Sequence, residues 1–252
     1  MTSSFRQRYA AARNRQATDW WTATFADPVS WVVLGLTADW PLLTPHRITL
    51  VSFVFKLAPA ALLISGSAYA ALWSAVLLQL GQVLDSMDGN LARYRGVSSR
   101  SGGFLDKILD GAGFVAVMSA LSWYVFKQGG REYYLLLGPL AAALYLLVCY
   151  MHWTSAFLRQ QDAAGKTPGT PNRDPRLLKI STWRYIVVAQ RKVLQFKQAD
   201  FYFWIGLALV LNRPEAAVWL LLAVNGKTAL ERFFSRYRSL LRLDKRTGLY
   251  GS

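Results

Sequence analysis

The sequence predicts an all-α integral membrane protein, and three observations carry that prediction. Of its 252 residues, 53% are hydrophobic and only 17% are charged, which excludes a disordered or fibrous chain. The hydrophobic residues form runs long enough to cross a lipid bilayer as helices. The 29 Lys and Arg residues outnumber the 14 Asp and Glu residues, but they lie between apolar runs, so we expect membrane lipid and no nucleic acid as a partner.

The first 47 residues are predicted to form a cytoplasmic N-terminal segment and an interfacial helix. The segment lacks the short apolar core and cleavage site of a secretory signal, so we expect it to remain in the mature protein. Four tryptophans lie among polar residues between Asp19 and Trp40, a composition that suits the lipid headgroup layer. We therefore expect an N-terminal amphipathic helix on the membrane surface.

Six apolar stretches follow, and they define a six-helix domain over residues 48-240, with a cytoplasmic tail at 241-252. The stretches cover residues 48-66, 68-93, 103-126, 132-158, 200-212 and 214-239. Long unbroken runs predict transmembrane helices, because the strands of a membrane barrel have about ten residues of alternating polarity. A span needs about 20 helical residues, so the fifth stretch is expected to begin earlier, after Tyr185.

The basic residues predict the orientation of the spans. With a cytoplasmic N-terminus, 25 of the 29 Lys and Arg residues fall on the cytoplasmic side and three on the opposite side. The sequence therefore predicts a multi-pass protein of the plasma (inner) membrane with both termini in the cytoplasm.

Acidic residues are scarce, and four of the 14 lie within residues 85-110. Because a helix turns about 100° per residue, these aspartates fall on single faces of two successive helices. The first face carries Asp85, Asp88, Gly89 and Ala92, with Arg93 beside them. The second face carries Gly102, Asp106 and Asp110. If the intervening loop folds the helices back on each other, four carboxylates face one another at the cytoplasmic membrane surface.

Such a group of carboxylates requires a cation. Two carboxylates about 5 Å apart repel each other by about 3 kcal/mol at an effective dielectric constant near 20. Oxygen ligands without nearby His or Cys favour hard ions such as Mg²⁺, Mn²⁺ or Ca²⁺, and two of these can clamp phosphoryl oxygens. The alternative is a set of structural ion pairs with Arg93, Arg95, Arg100 and Lys107, which would not require the glycines and alanine at this spacing.

The stretch from Asp85 to Asp110 reads D-x2-D-G-x2-A-R-x8-G-x3-D-x3-D. At all eight specified positions it resembles the signature of the CDP-alcohol phosphotransferase (CDP-alcohol phosphatidyltransferase) family. The residues from Thr44 to Thr49 also resemble the sequence that precedes the first span in this family. The six-span plan and the cytoplasmic site agree with it as well.

The resemblance implies a transferase that uses Mg²⁺ or Mn²⁺, with two ions bound. Family members cleave the diphosphate of a CDP-alcohol, move the alcohol phosphate onto the hydroxyl of a second alcohol and release CMP. By motif position, the metal ligands would be Asp85, Asp88, Asp106 and Asp110, with Asp110 as the catalytic base and Asp106 beside it. The nucleotide site would be lined by Asp85, Gly89, Ala92, Arg93 and Gly102. The resemblance also implies a homodimer.

Three alternatives bear on the reaction. The first expectation is a CDP-diacylglycerol donor in phospholipid biosynthesis, and the alternative within the family is a polar donor such as CDP-inositol. An aspartate-rich membrane prenyltransferase also binds a diphosphate through metal ions, but it does not require the framework of Gly89, Ala92, Arg93 and Gly102. A divalent-cation transporter would place its acids midway through the bilayer, whereas these lie at a cytoplasmic helix end.

Other basic residues are candidates for substrate binding. Lys56 and Lys227 lie within predicted spans, where a charged side chain either faces a cavity or extends to the membrane surface. Arg191 and Lys192 follow a long polar segment and either bind anionic lipid or grip a phosphate on the acceptor. His152 is interpreted as an interior histidine rather than a ligand.

Overall fold

The structure, a computed structural model, describes residues 4–13, 19–97, 99–162 and 181–246. All regular secondary structure in these residues is helical, which confirms the predicted all-α class. The α-helices are α1 (Phe5–Ala12), α2 (Asp27–Thr37), α3 (Pro45–Ser65), α4 (Ala70–Tyr94), α5 (Arg100–Lys127), α6 (Tyr134–Asp162), α7 (Thr182–Ala189), α8 (Gln198–Val210) and α9 (Pro214–Arg246). A π-helical segment (Thr22–Ala26) leads into α2, and a 3₁₀ helix (Gln190–Gln195) follows α7.

Six of these helices, α3 to α6, α8 and α9, coincide with the six predicted apolar stretches. Three of them, α3, α5 and α6, are long and apolar enough to cross a membrane, and α8 contains a shorter apolar run, Ala199–Val210. Large apolar side chains such as Leu72 on α4 and Leu136 on α6 are exposed on the outside of the bundle. These are features of a membrane protein, because lipid tails cover such surfaces without cost.

The start of α8 lies just before the fifth apolar stretch. The helix begins at Gln198, near the end of the segment that follows Tyr185, because Phe196 adopts a left-handed backbone conformation with φ of 44° that separates it from the 3₁₀ helix. The backbone N–H of Lys197 donates to Asp200 Oδ2 at 2.9 Å, which fixes the first turn. The fifth helix therefore begins earlier than the apolar stretch, as expected, but by only two residues.

The N-terminal segment is helical over most of residues 19–40, but two of its tryptophans pack inside the protein. Trp31 is 0% exposed, and the indole N–H of Trp20 donates to Gln190 Oε1 at 2.7 Å. Since these side chains are used for tertiary contacts, they are not available as headgroup anchors. Trp40, at the end of the segment, is exposed.

The turn between α4 and α5 brings the ends of both acidic faces together. Gly96, with φ of 65°, terminates α4, and the N–H of Val97 donates to the carbonyl of Ala92 at 3.0 Å. Ser99 then starts α5 by accepting the N–H of Gly102 at 3.0 Å. A positive φ favours glycine at position 96, because side chains with a Cβ rarely adopt it.

Helix α3 lies between the two acidic helices. It packs against both α4 and α5, which make few contacts with each other. The expectation that the acidic helices fold directly against each other is thus modified, because a side chain of α3 can reach between their faces. The main hydrophobic core lies within the same bundle, around Leu78, Phe114, Leu121 and Ile205.

Candidate active site

Three of the four motif aspartates form one group at the α4–α5 turn. Carboxylate oxygens of Asp85, Asp88 and Asp106 all lie within 4.8 Å of one another. Asp85 and Asp88 are one helical turn apart on α4, and Asp106 faces them from α5. The sequence prediction that these residues share a site is supported by this arrangement.

Asp110 is held apart from this group by a lysine. The ammonium of Lys56 on α3 lies 2.6 Å from Asp110 Oδ1 and 2.7 Å from Asp85 Oδ1. Lys56 is 2% exposed and Asp110 is 5% exposed. A buried ammonium requires partners of opposite charge, and the two carboxylates supply them.

A second lysine stands at the outer edge of the group. Lys107 Nζ lies 2.9 Å from Asp106 Oδ2 and 3.4 Å from Asp110 Oδ2. Arg95 points elsewhere, because its guanidinium donates to the backbone carbonyl of Ala38 at 2.6 Å. Of the basic residues that the sequence suggested as ion-pair partners of the aspartates, Lys107 therefore forms such pairs and Arg95 does not. The most buried cation at the aspartates is Lys56, which was not among those suggested partners.

A cleft of about 230 Å³ opens beside the carboxylates. Its wall includes four residues predicted for the nucleotide site, Gly89, Ala92, Arg93 and Gly102, together with Asp88 and Asp106. Asp85, the fifth predicted nucleotide residue, instead lines an adjoining gap around Lys56. The motif thus builds one continuous site with a carboxylate floor and a cleft above it.

The glycines keep this cleft open. A methyl group added at Gly89 would lie 3.2 Å from both terminal nitrogens of Arg93. One added at Gly102 would lie 3.0 Å from Ser99 Oγ. Both distances are shorter than ordinary van der Waals contacts, so any side chain there would displace Arg93 or the cap of α5.

The structure adds residues from the start of α3 that we had not assigned individually. Thr49 Oγ1 donates to Asp88 Oδ2 at 2.6 Å, which orients that carboxylate. His46 lines the cleft with its ring close to Gly102. Both residues belong to the 44–49 sequence that resembles the family. The resemblance therefore pointed to this segment, but the sequence could not show which atoms its side chains contact.

A buried polar network lies behind Arg93. The amide N–H₂ of Asn90 donates to Asp27 Oδ1 at 3.2 Å and to Ser30 Oγ at 2.9 Å, which fixes the amide orientation. Its carbonyl oxygen then accepts from Arg93 at 2.9 Å. Burial raises the pKa of Asp27 to about 6, although hydrogen bonds from Ser86 and Asn90 oppose that rise. This network links α2 to the side of the cleft that Arg93 lines.

The remaining predicted substrate residues are not gathered at the aspartates. The side chain of Lys227 on α9 is 75% exposed, and its ammonium lies 3.5 Å from Glu231. Arg191 is exposed and Lys192 half-buried, and both lie on the 3₁₀ helix, outside the lining of the cleft. His152 is exposed, so the expectation of an interior histidine is wrong; its Nδ1 accepts from the guanidinium of Arg236 at 3.0 Å.

The donor set of the aspartate group fits a hard divalent ion. Ligand oxygens on opposite sides of Mg²⁺ lie about 4 Å apart, so oxygens within 4.8 Å need only a small inward movement. The group contains three carboxylates and no His or Cys, which excludes the donor set of a structural zinc site. These residues can therefore hold Mg²⁺ or Mn²⁺.

A helical membrane bundle with a carboxylate group beside a cleft is the arrangement expected of a membrane enzyme that acts on phosphate compounds through a divalent metal. Comparison with known families specifies it further. The family model described as CDP-alcohol phosphatidyltransferase matches residues 42–225, most of the chain. The chain belongs to this family, so the predicted enzyme class is confirmed.

Two solved structures share the fold. The phosphatidylinositol phosphate synthase PgsA1 of Mycobacterium tuberculosis, in complex with manganese and citrate, is 19% identical, with a TM-score of 0.54 over 85% of this chain and 88% of that chain. The same enzyme with CDP-DAG bound is 20% identical, with a TM-score of 0.52 over 84% of this chain and 94% of that chain. At these identities the similarity concerns the fold. A comparison with curated proteins gave no match.

Proposed function

We propose that this enzyme transfers a phosphatidyl group from CDP-diacylglycerol to the hydroxyl of a polar alcohol and releases CMP, as in phospholipid biosynthesis. The observation that carries the proposal is the continuity between the cleft lined by Gly89, Arg93 and Gly102 and the carboxylate group beneath it. The cleft would take the cytidine nucleotide, and the carboxylates would lie under its diphosphate. The family match supports the same chemistry.

Each residue of the site would have a separate role in the transfer. The bound divalent ion would neutralise the diphosphate and stabilise the departing CMP. Arg93 would bind a donor phosphate, since its guanidinium is steadied by Asn90. Asp110 would take the proton of the acceptor hydroxyl, with Asp106 beside it. The hydroxyl oxygen then bonds to the phosphorus that carries the donor alcohol, the bond from that phosphorus to the CMP oxygen breaks, and CMP leaves with the electron pair.

A lipid donor is favoured over a polar one such as CDP-inositol. Val97 lines the cleft and is exposed, and Phe104 and Ile108 form an exposed apolar strip on the face of α5 opposite Asp106. Acyl chains in the bilayer would cover this strip while the diphosphate enters the cleft. The structural neighbour with CDP-DAG bound supports the same choice.

The membrane arrangement is proposed from the sequence and the helices together. Helices α3 to α6, α8 and α9 would provide six spans of the plasma (inner) membrane, with residues 1-47 and 241-252 on the cytoplasmic side. The α4–α5 turn and the site would then face the cytoplasm, where CDP-alcohols are available. We also propose a homodimer, on the resemblance to the family alone, which the mass of the detergent-solubilised protein would test.

A screen of donors and acceptors tests the function. The purified enzyme would be incubated with Mg²⁺ or Mn²⁺, CDP-diacylglycerol or CDP-inositol, and polar alcohols such as glycerol phosphate, inositol phosphate or serine, and CMP would be measured. We expect metal-dependent CMP release with the lipid donor. CMP release only with CDP-inositol would show that the donor is polar and that the proposed lipid donor is wrong.

The same screen addresses the prenyltransferase alternative. If no CDP-alcohol yields CMP and the enzyme instead binds a prenyl diphosphate, the proposed function is wrong. The variant Gly226→Ala serves as a control for protein quality, because a methyl group there meets its nearest neighbour at an ordinary 3.9 Å and lies on α9, outside the cleft.

A further inference from the structure

The side chain of Lys56 passes through a slot between α4 and α5. A methyl group at Gly81 on α4 would contact its Cγ at 3.4 Å, and one at Gly113 on α5 would contact its Cβ at 3.4 Å. Both are close van der Waals contacts, so a residue larger than alanine at either position would displace the lysine stem. Two glycines on separate helices therefore leave the space through which Lys56 reaches the carboxylates.

The ammonium at the end of this slot is a fixed, buried charge. It lies 2.7 Å from Asp85 Oδ1 and 2.6 Å from Asp110 Oδ1, and the residue is 2% exposed. The gap around it, lined also by Thr49 and Leu109, has no space for a water molecule. A solvated ion could therefore not enter between Asp85 and Asp110 without moving the lysine.

The four motif carboxylates are thus divided into two parts. Asp85, Asp88 and Asp106 offer oxygens within 4.8 Å of one another, as a divalent ion requires. Asp110 is outside that group and is bound by Lys56 instead. A second divalent ion would need six oxygen ligands in a space already filled by an ammonium and its stem.

We propose that Lys56 takes the place of a second metal ion, so that the enzyme binds one divalent ion in the Asp85–Asp88–Asp106 group. The inference rests on the proposed function, because it assumes that the aspartate group is the metal site of the enzyme. Lys56 is then a positioning residue: it holds Asp110 toward the acceptor position and balances its charge. Unlike a metal ion, this cation cannot dissociate.

The count of bound ions tests the proposal without any turnover. The purified full chain in detergent would be titrated with Mn²⁺ alone, and free Mn²⁺ would be followed by its paramagnetic resonance signal. We expect one bound ion per wild-type chain and two for Lys56→Ala, because the substitution removes both the ammonium and the stem. Lys107→Ala is the matched control, since Lys107 also contacts Asp110 but its side chain is 54% exposed, and we expect it to bind one ion.

Each result has a definite meaning. Two ions bound with similar affinity by the wild-type chain would overturn the proposal, and this measurement needs no variant that folds poorly. A single ion bound by a folded Lys56→Ala chain, as judged by an unchanged thermal unfolding midpoint, would also overturn it. CMP release is measured separately, so a chain that binds one ion but yields no CMP would refute the proposed function and leave the ion count intact.

Discussion

Asp110 combines burial with two lysine contacts, and this environment determines what its removal should do. Its Oδ1 accepts from Lys56 at 2.6 Å, while Oδ2 has only the long contact of 3.4 Å to Lys107 among the described ion pairs. The second oxygen is therefore the one suited to accept a proton. Because Asp110 lies outside the group of three carboxylates, its loss should spare the metal and the nucleotide.

We predict that Asp110→Asn lowers the rate of CMP release by at least about 10²-fold, the usual scale for a lost general base. Binding of the CDP-alcohol, measured by calorimetry, should remain within a few-fold of wild type. Asp39→Asn is the control, because Asp39 is exposed, contacts Arg8 and Tyr94, and does not line the cleft. Unchanged turnover would remove Asp110 from the role of base.

The close approach of Gly89 to Arg93 gives a second prediction. In Gly89→Ala the new methyl group would lie 3.2 Å from the guanidinium nitrogens, so the guanidinium of Arg93 must shift from its position in the cleft wall by a few tenths of an ångström. We expect the KM for the CDP-alcohol to rise roughly 10-fold, which corresponds to about 1.4 kcal/mol. Gly226→Ala should show a wild-type KM, and equal effects of the two variants would contradict a nucleotide role for this wall.

For individual residues, the sequence predicted which residues form the site better than it predicted which of them are in contact. The motif spacing placed Gly89, Arg93 and Gly102 around one cleft, as the structure shows. It could not pair Lys56 with Asp110, because the two residues lie 54 positions apart and meet only through the packing of α3. A lysine in a span signals a buried partner but not which one.

At the scale of elements, Asp27 links α2 to α4 and α7. Its carboxylate accepts from Ser86 at 2.5 Å and from Tyr185 at 3.3 Å. Burial raises its pKa from 3.8 to about 6. The folded protein therefore binds more protons than the unfolded chain between pH 4 and 6, and the contribution of Asp27 to stability is lost as the pH rises through about 6.

We predict that the thermal unfolding midpoint of the wild-type protein falls more steeply from pH 4 to 6 than that of Asp27→Asn. The difference corresponds to at most about 3 kcal/mol, since each tenfold change in proton affinity is worth about 1.4 kcal/mol. Asp39→Asn again serves as the control for an exposed carboxylate. Parallel curves for wild type and Asp27→Asn would contradict a buried, proton-binding Asp27.

The helices themselves were largely predictable, and the exceptions have local causes. The long apolar runs predicted six helices because each run exceeds the length of a strand. The exact start of α8 could not be predicted, because it is set by a positive φ at Phe196, where no glycine indicates such a conformation. Trp31 looked like a membrane anchor because a tryptophan in polar surroundings suits the headgroup layer. It is buried because α7, distant in sequence, packs over it.

At the scale of the whole molecule, the charge asymmetry predicts one orientation. Of the 29 Lys and Arg residues, 25 fall on the side assigned to the cytoplasm. The chain has a single cysteine, Cys149, so Cys149→Ser gives a background without reactive thiols. In that background, Arg100→Cys and Gln128→Cys would lie at opposite ends of α5.

We predict that the cysteine of the Gln128→Cys variant is labelled in intact spheroplasts of a bacterial host by a maleimide that cannot cross the membrane. It should label Arg100→Cys only after lysis, because that position would face the cytoplasm. Labelling in the reverse order would place the aspartates on the outer side of the membrane, where CDP-alcohols are not supplied.

The central claim, that the aspartate group binds a metal under the donor diphosphate, is tested most directly by anomalous diffraction. Crystals grown with Mn²⁺ and CDP-diacylglycerol should show a manganese peak among Asp85, Asp88 and Asp106, in contact with the diphosphate, and the cytidine in the cleft lined by Arg93. A diphosphate bound elsewhere, or manganese absent from these three carboxylates, would contradict the account.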